Sequence, residues 1–389
     1  MPRHFVFLQG LPGPFFRMLA TTLRGAGHRA SRINFNGGDW LDWRIGDSVR
    51  YGGDMAGWKN WLCTYLKAER VTDLALFGEL RPLHRAAISV AAEAGLRVYE
   101  FEEGYLRPNH VTIERWDAGR KATGFDALAV DDEIPVESRF GRRMNESVNY
   151  WLAATLLRPI FPHYESHRVN HAGVEMLHWC RRYLRKARET ADSERAVRAI
   201  GNRAFFLFPL QLDGDAQIVG RSMFGSMSEA LDHVLASFAE YAPTDTMLLV
   251  KRHPFDPDLA NWQSQVTKRS RGLSIDSRVA YVSRFDLDWL LGRCRGVVTV
   301  NSTVGPLALA KGKPVQVLGQ AIYDRPGLVG PDQLETFWRF PTPPQPGAFD
   351  AFVSELKRSS QVNGGFHSTA GLELLVRNAL ALMLAGEPR

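Results

Sequence analysis

Two short apolar runs constrain this chain more than any other feature. Phe205-Phe206-Leu207-Phe208-Pro209-Leu210 stops at the polar cluster Gln211-Leu212-Asp213-Gly214-Asp215-Ala216-Gln217. After a helical segment, Met247-Leu248-Leu249-Val250 ends in Lys251-Arg252-His253-Pro254-Phe255-Asp256. Short apolar runs bounded by turn and charged residues read as buried strands, and strand–helix–strand succession reads as a parallel α/β unit. In an open parallel sheet the ligand crevice lies just beyond the carboxyl ends of the strands. Asp213, Asp215 and His253 are therefore expected to face one pocket.

The same rhythm occupies the start of the chain. His4-Phe5-Val6-Phe7-Leu8 reads as a strand, followed by Gln9-Gly10-Leu11-Pro12-Gly13-Pro14 and a helix from Phe15 to Leu23. The Gly/Pro segment has two readings, a tight turn or a loop offering backbone N–H groups to an anion. Ala30 to Phe35 is a second strand, leading into Asn36-Gly37-Gly38-Asp39-Trp40. A helix over Trp58 to Tyr65 precedes a strand over Asp73 to Gly78, then Glu79-Leu80-Arg81-Pro82-Leu83-His84 and a helix over Arg85 to Ala94. The strand from Leu96 to Phe101 closes in Glu102-Glu103-Gly104-Tyr105-Leu106-Arg107-Pro108. This alternation over the first 130 residues predicts a parallel, doubly wound sheet.

From Asp131 to about Arg198 the strand signal disappears. Residues 149–162 are apolar and aromatic, flanked by Arg142, Arg143 and Arg168, and Arg181-Arg182-Tyr183-Leu184-Arg185-Lys186-Ala187-Arg188 is basic and helical. Two readings stand: an interdomain helical linker with a solvated basic face, or a docking surface for anionic lipid. Alternation then resumes. A helix over Phe285 to Leu291 is followed by the strand Gly296 to Val300, the segment Asn301-Ser302-Thr303-Val304-Gly305-Pro306, a helix over Leu307 to Lys311 and a strand over Lys313 to Gly319. Ser302 and Thr303 open a helix, where a hydroxyl caps the free N–H groups, contacts a phosphate, or does both. A last helix, Leu372 to Leu384, is expected to pack back on the body.

At 389 residues the chain exceeds one ordinary domain. The expected pieces are 1–130 and 201–345, both Rossmann-like, a basic helical linker or insertion at 131–200, and a returning helical segment at 346–389. A hydrophobic fraction of 45% with 23% charged residues is that of a soluble globular protein. No apolar run approaches the roughly 18 to 20 residues of a membrane span, and the start does not read as a secretory signal. Cys63, Cys180 and Cys294 lack metal-ligand spacing, which fits a reducing cytosol. A net charge of +6 and a pI near 9.3 point to an anionic partner. With no zinc-finger spacing and no RNA-binding signature, a phosphorylated small molecule or an anionic membrane surface is expected rather than nucleic acid.

Three signatures combine. Glu102-Glu103-Gly104, His253-Pro254 and Ser302-Thr303 resemble the pattern of transferases that use CMP-activated acids, bacterial sialyltransferases with two Rossmann domains among them. The sequence more closely resembles the capsule polysaccharide family of β-Kdo transferases, of the KpsS and KpsC type, over nearly its whole length. The likeness rests on Phe7-Leu8-Gln9-Gly10, Pro12 to Phe16, Asn34 to Asp39, Arg81 to His84, Glu102 to Pro108, Pro209 to Gln217, His253 to Asp256 and Asn301 to Gly305.

That resemblance implies an α/β fold of two Rossmann-like domains facing a central cleft, the GT-B-like architecture. It implies retaining transfer of Kdo, an eight-carbon ulosonic acid, from CMP-β-Kdo to phosphatidylglycerol or its Kdo-extended form, starting a capsule linker. The protein would then be cytoplasmic, peripheral at the inner-membrane face, and associated with other capsule proteins. Retention usually takes two displacements, with a carboxylate nucleophile and a separate acid/base. By resemblance Asp215, four residues after Gln211, is the nucleophile, with Asp213 as the alternative. Glu102 is the acid/base, ahead of Glu103. His253, beside Pro254, holds the CMP phosphate or faces the reacting sugar, and Asn301, Ser302, Thr303 and Gly305 surround the phosphate. Lys251, Arg252 or Arg107 meets the Kdo carboxylate. Gln9, Gly10, Gly13, Asn36, Gly37, Arg81 and Gln217 complete the substrate contacts. CMP is a good leaving group, so neither metal nor cofactor is expected, although Asp213-Gly214-Asp215 spells an Asp-x-Asp motif. Two competing readings are an inverting, sialyltransferase-like enzyme and a non-catalytic export or scaffold protein.

Overall fold

The computed structural model describes residues 2–117, 119–121, 133–165, 178, 181–212, 216–330 and 333–385. The chain divides into two compact units, Met1–His167 with Val353–Arg389, and Arg168–Phe352.

The first unit begins with β1 (His4–Phe7), α1 (Phe15–Gly25), β2 (Arg29–Asn34), α2 (Gly37–Trp43), β3 (Ser48–Arg50), α3 (Trp58–Ala68), β4 (Asp73–Phe77), α4 (Pro82–Glu93) and β5 (Arg97–Glu103). These five strands are parallel in the order β3-β2-β1-β4-β5. Alternate residues of β1 go to opposite faces, as the two-residue period of a strand requires. Phe5 and Phe7 join Phe16, Leu19, Leu372 and Leu375 on one side, while Val6 and Leu8 join Trp58, Leu62, Ala87 and Val90 on the other. A strand covered on both faces must be apolar throughout, and for that reason it was legible in the sequence.

The expected all-parallel sheet is corrected at one edge. β6 (His110–Asp117) runs antiparallel to β5, β7 (Arg120–Lys121) pairs with β6, and a strand returning from the C-terminus, Gln361–Asn363, adds antiparallel to β6. Polar residues alternate through β6 because it is only partly covered. The C-terminal helix, Thr369–Leu384, contributes Leu372, Leu375 and Ala379 to the same core as α1.

The expected linker at 131–200 is divided between the units. Its helix α5 (Phe140–Leu156) belongs to the first, against α2. A Cβ on Gly37 would stand 2.3 Å from the Ala153 carbonyl oxygen, and one on Gly38 would stand 2.6 Å from the Tyr150 ring. Paired glycines, poor helix formers, are tolerated in α2 because only they admit α5 so closely.

The second unit holds α6 (Lys186–Ile200), β8 (Phe205–Pro209), α7 (Ala216–Arg221), α8 (Met227–Tyr241), β9 (Met247–Lys251), α9 (Trp262–Gly272), β10 (Val279–Val282), α10 (Leu287–Arg293), β11 (Gly296–Thr299), α11 (Val304–Leu309) and β12 (Val315–Val317). All five strands are parallel, ordered β10-β9-β8-β11-β12. Phe206, Phe208, Leu231, Phe238, Val250, Val298 and Trp338 form its core. In each unit the chain builds three strands to one side and then reverses, so the switch falls between β1 and β4 in the first and between β8 and β11 in the second. That is where open α/β sheets take ligands. Among the described residues no helix is long and apolar enough to cross a membrane.

Candidate functional site

In the second unit, the residues closing β8 and β11 meet across the switch. Gln211 Nε2 donates to Asn301 Oδ1 at 2.8 Å, and the Asn301 backbone N–H donates to Gln211 Oε1 at 3.2 Å. Both were expected at the donor site, and the structure brings them together. The next residues build the turn into α11. Ser302 N donates to Thr299 Oγ1 at 3.1 Å, Ser302 Oγ accepts from Val304 N at 3.2 Å, and Ser302 O accepts from Tyr323 OH at 2.7 Å. The Ser302 hydroxyl therefore caps the turn, whereas Thr303 makes no side-chain cap bond. Gly305 faces the Tyr323 ring so closely that a Cβ would lie 2.4 Å from it.

Past β9 the two adjacent cations separate. Arg252, only 1% exposed, bonds Glu189 on α6 at 2.6 Å and Asp258 at 2.9 Å. Its expected place at a substrate carboxylate is corrected: consecutive residues point to opposite sides, and Arg252 points into the packing between α6 and the loop after β9. Lys251 is buried without a carboxylate partner among the described residues. Burial, together with Arg252 and Arg182, lowers its pKa to about 8. Next to it, His253 Nδ1 accepts the Phe255 N–H at 3.1 Å, so the neutral ring carries its proton on Nε2. Pro254 is exposed. Asp213 and Asp215 lie outside the described residues, as does the side chain of Gln217.

The first unit repeats the arrangement at its own switch. Gln9, two residues past β1, accepts from Arg81 Nη1 at 3.1 Å, while Arg81 also reaches Gly10 O at 3.3 Å. Gln9 Nε2 donates to the hydroxyls of Tyr150 and Tyr164 at 3.0 and 2.9 Å. Asn36 caps α2 by accepting from Asp39 N at 3.0 Å and donates to the Tyr150 hydroxyl at 3.0 Å. Tyr150 in turn donates to Asp39 at 2.9 Å, and Asp39 is paired with Arg32 at 2.8 Å. Asn36 and Gly37, expected to contact substrate, are instead buried parts of the α2–α5 junction. In the Gly/Pro loop Gly13 N donates to Asp42 at 2.9 Å, and burial pushes that carboxyl up to about 7.

At the end of β5 the two adjacent glutamates also diverge. Glu102 stands opposite Thr112 in the ladder. Glu103 meets Arg143 Nη1 at 2.6 Å, Arg107 Nη1 at 3.0 Å and His367 Nε2 at 3.6 Å. His367 Nδ1 lies 3.8 Å from Glu146, which is held by Arg142 at 2.8 Å. Burial alone would raise the Glu103 carboxyl, but Arg107, His367 and Arg143 prevail and hold it well below the usual carboxylate range. A permanently ionised carboxylate is a weak proton carrier near neutrality, so Glu103 is suited to ordering cations. Glu103, Arg107, Arg143 and His367 line a recess in this unit. His367 and Glu146 escaped the sequence reading because nothing local marks them; only the return of the chain brings His367 to β5.

The sequence matches the capsule polysaccharide biosynthesis protein family over residues 72–367, and the chain belongs to that family. It is 31% identical over 384 residues to the capsule polysaccharide modification protein LipB of Neisseria meningitidis, covering 94% of this chain and 92% of that one. Identity to the capsule polysaccharide export protein KpsS of Escherichia coli is 29% over 380 residues, 94% of this chain and 97% of that one. Among solved structures, the β-Kdo 2,7 transferase of Thermosulfurimonas dismutans KpsC aligns with a TM-score of 0.46 at 13% identity, covering 98% of this chain and 99% of that one. A structure named as the putative UDP-N-acetylglucosamine 2-epimerase of Listeria monocytogenes aligns with a TM-score of 0.35 at 11% identity, covering 100% of this chain and 98% of that one.

Proposed function

We propose that this chain is a retaining glycosyltransferase that moves Kdo from CMP-β-Kdo to phosphatidylglycerol or its Kdo-extended form, at the cytoplasmic face of the inner membrane. The observation that carries the reading is the Gln211–Asn301 lock at the switch of the second unit, with Lys251 at the end of the neighbouring strand. A parallel sheet takes an anionic nucleotide at such a place, and a lysine there without a carboxylate partner among the described residues is available to a phosphate. Family membership supplies the capsule context and, with it, other capsule proteins as partners.

The chemistry proceeds in two displacements. The Asp215 carboxylate attacks the anomeric carbon of Kdo as the bond to CMP oxygen breaks, and CMP departs with the electron pair. Lys251 and the His253 Nε2–H stabilise the charge gathering on the leaving phosphate. The acceptor hydroxyl then attacks the same carbon, Glu102 takes its proton, and Asp215 leaves. Asp213 stands in reserve for Asp215. Glu102 carries the acid/base role because Glu103 is locked in its ionised form. Docking on anionic lipid is supported by α5, where Val148, Leu152 and Leu156 form an exposed apolar stripe at four-residue spacing, followed by Arg158.

The test is a transfer assay with CMP-Kdo generated in place and short-chain phosphatidylglycerol, read by mass spectrometry for wild type and Asp215→Asn. Lipid bearing an added Kdo with wild type alone supports the reading. CMP release without modified lipid keeps the donor and overturns the acceptor. No turnover of either substrate favours the scaffold reading.

A further inference from the structure

Two readings of the basic run ahead of α6, a solvated linker face and a lipid-docking surface, predict opposite burial. A solvated face turns its charges outward and its apolar side chains inward. Here Tyr183 is 76% exposed and Leu184 83%, whereas Arg182 next to them is buried and donates to the Asp256 carbonyl at 2.7 Å. The backbone N–H groups of Arg185 and Glu189 donate to the carbonyls of Arg181 and Arg185 at 3.1 and 2.8 Å, so the run continues helically into α6. Side chains three and four apart are neighbours on a helix, which groups Leu184 with Arg181, Arg185 and Arg188. All of these residues belong to the second unit.

The carboxylates nearby are answered from elsewhere. Glu189 is held by Arg252 at 2.6 Å and by Arg284 at 3.1 Å, and Asp258 by Arg252 at 2.9 Å. Asp192 pairs with Arg188 at 3.8 Å and with Arg195. Arg181 and Arg185 line a recess with Glu189 and Asp258 but form an ion pair with neither, and Lys186 has no carboxylate partner among the described residues. Like charges four apart also oppose a helix, so Arg181 and Arg185 cost stability until an anion meets them. Exposed apolar side chains and uncompensated cations thus occupy the same turn.

We propose that Arg181, Tyr183, Leu184, Arg185 and Lys186 form a docking surface for an anionic lipid bilayer. The tyrosyl and leucyl side chains enter the boundary between headgroups and acyl chains, while the guanidinium and ammonium groups meet lipid phosphates. Two apolar side chains are little for a protein partner, whose stable interface buries about 800 Å² on each side. They are enough for a bilayer surface to which the cations add their own attraction. This surface lies in a different unit from the α5 stripe. It deepens the membrane location proposed above and rests on it; it does not rest on Kdo transfer.

The experiment floats the full-length protein with phosphatidylcholine vesicles, with and without phosphatidylglycerol, at low and high salt. Binding is expected only where phosphatidylglycerol is present, and weaker at high salt. Affinity should fall about tenfold or more when Arg181→Gln and Arg185→Gln are combined. Tyr183→Ser combined with Leu184→Ser should weaken it as well, and both double variants should keep the wild-type unfolding midpoint because they alter exposed side chains. Double variants that bind as tightly as wild type overturn the surface. So does equal binding to both kinds of vesicle, or a loss confined to Leu152→Ser with Leu156→Ser on α5. Wild type that ignores the vesicles overturns the surface and the membrane location together. If it instead dimerises in sedimentation and Leu184→Ser abolishes the dimer, the face belongs to a second copy of this chain and the lipid proposal falls. Docking by a protein that shows no Kdo transfer keeps the surface and discards the transferase reading. Transfer to soluble short-chain phosphatidylglycerol without docking does the reverse.

Discussion

Gln211 and Asn301 exchange two hydrogen bonds, side chain to side chain at 2.8 Å and backbone to side chain at 3.2 Å, and so tie the ends of two neighbouring strands. Gln9 and Arg81 make the corresponding link in the first unit at 3.1 Å. In both units a glutamine two residues past the first strand spans the switch to the loop after the fourth. The switch points are thus fastened before any ligand arrives.

Gln211→Ala removes one such fastening and leaves the Asn301 amide and backbone N–H without their partner. The expected cost is about 1–3 kcal/mol in urea-induced unfolding. In the transfer assay the donor KM should rise, because Asn301 and Ser302 lose their placement. Unchanged stability and donor KM would show that the link is ornamental.

Lys251 has a folded-state pKa of about 8, below its ordinary 10.5. The unfolded chain therefore binds more protons between those values, and stability gains from this group as pH rises through that window. Below about pH 8 the full cost of burying the charge is present. Lys251→Met should accordingly raise neutral-pH stability by about 1–3 kcal/mol, the gain shrinking towards pH 10.5, while weakening CMP-donor binding. Thermal unfolding at pH 7 and pH 10 reads the first effect, and calorimetric titration with CMP the second.

Glu103 has a depressed folded pKa, so its contribution is present above the unfolded value of about 4.5 and is lost as pH falls through the folded one. His367 behaves oppositely. Its raised folded pKa gives a contribution fully present below about 6.5 and lost as pH rises through the folded value. Glu103→Gln should cost about 1 kcal/mol near neutrality, because Arg107, which is largely exposed, Arg143 and His367 lose one carboxylate neighbour. It should also reduce the loss of stability on the alkaline side that His367 deprotonation causes, Glu146 remaining beside the ring. Unfolding curves from pH 5 to 9 for the variant and wild type test both statements.

Gly37→Ala places a methyl group 2.3 Å from the Ala153 carbonyl oxygen, so α2 and α5 must part. A loss of about 3 kcal/mol or more is expected, together with a weakened Asn36–Tyr150 bond. An unfolding midpoint equal to that of wild type would mean the junction yields without cost.

The strands that the sequence displayed most clearly, β1, β4, β8 and β9, are buried on both faces, which forces a continuous apolar run. β6 and the strand Gln361–Asn363 were missed because an edge pairing needs few apolar residues and its partner lies far along the chain. α2 was hidden by its glycines, whose presence answers a neighbour rather than a helical propensity. At the site, Gln211 and Asn301 were legible because they directly follow strands. The different fates of Lys251 and Arg252, and of Glu102 and Glu103, were not, since adjacent residues of one charge carry no mark of which faces inward. His367 gives no local signal at all.

Arg3 Nη1 donates to Met383 O at 2.7 Å, and the Tyr99 hydroxyl reaches the same carbonyl at 3.1 Å. The two extremes of the chain are thus parts of one body, and the second unit is an insertion between them. During synthesis, Phe5, Phe7, Phe15 and Phe16 are made more than 350 residues before Leu372 and Leu375, which share their core. The second unit, contiguous in the chain, has all its strands before that cover exists. The early strands are thus made before the helix that covers them, and a growing chain carries an uncovered apolar face until Thr369–Leu384 has been made.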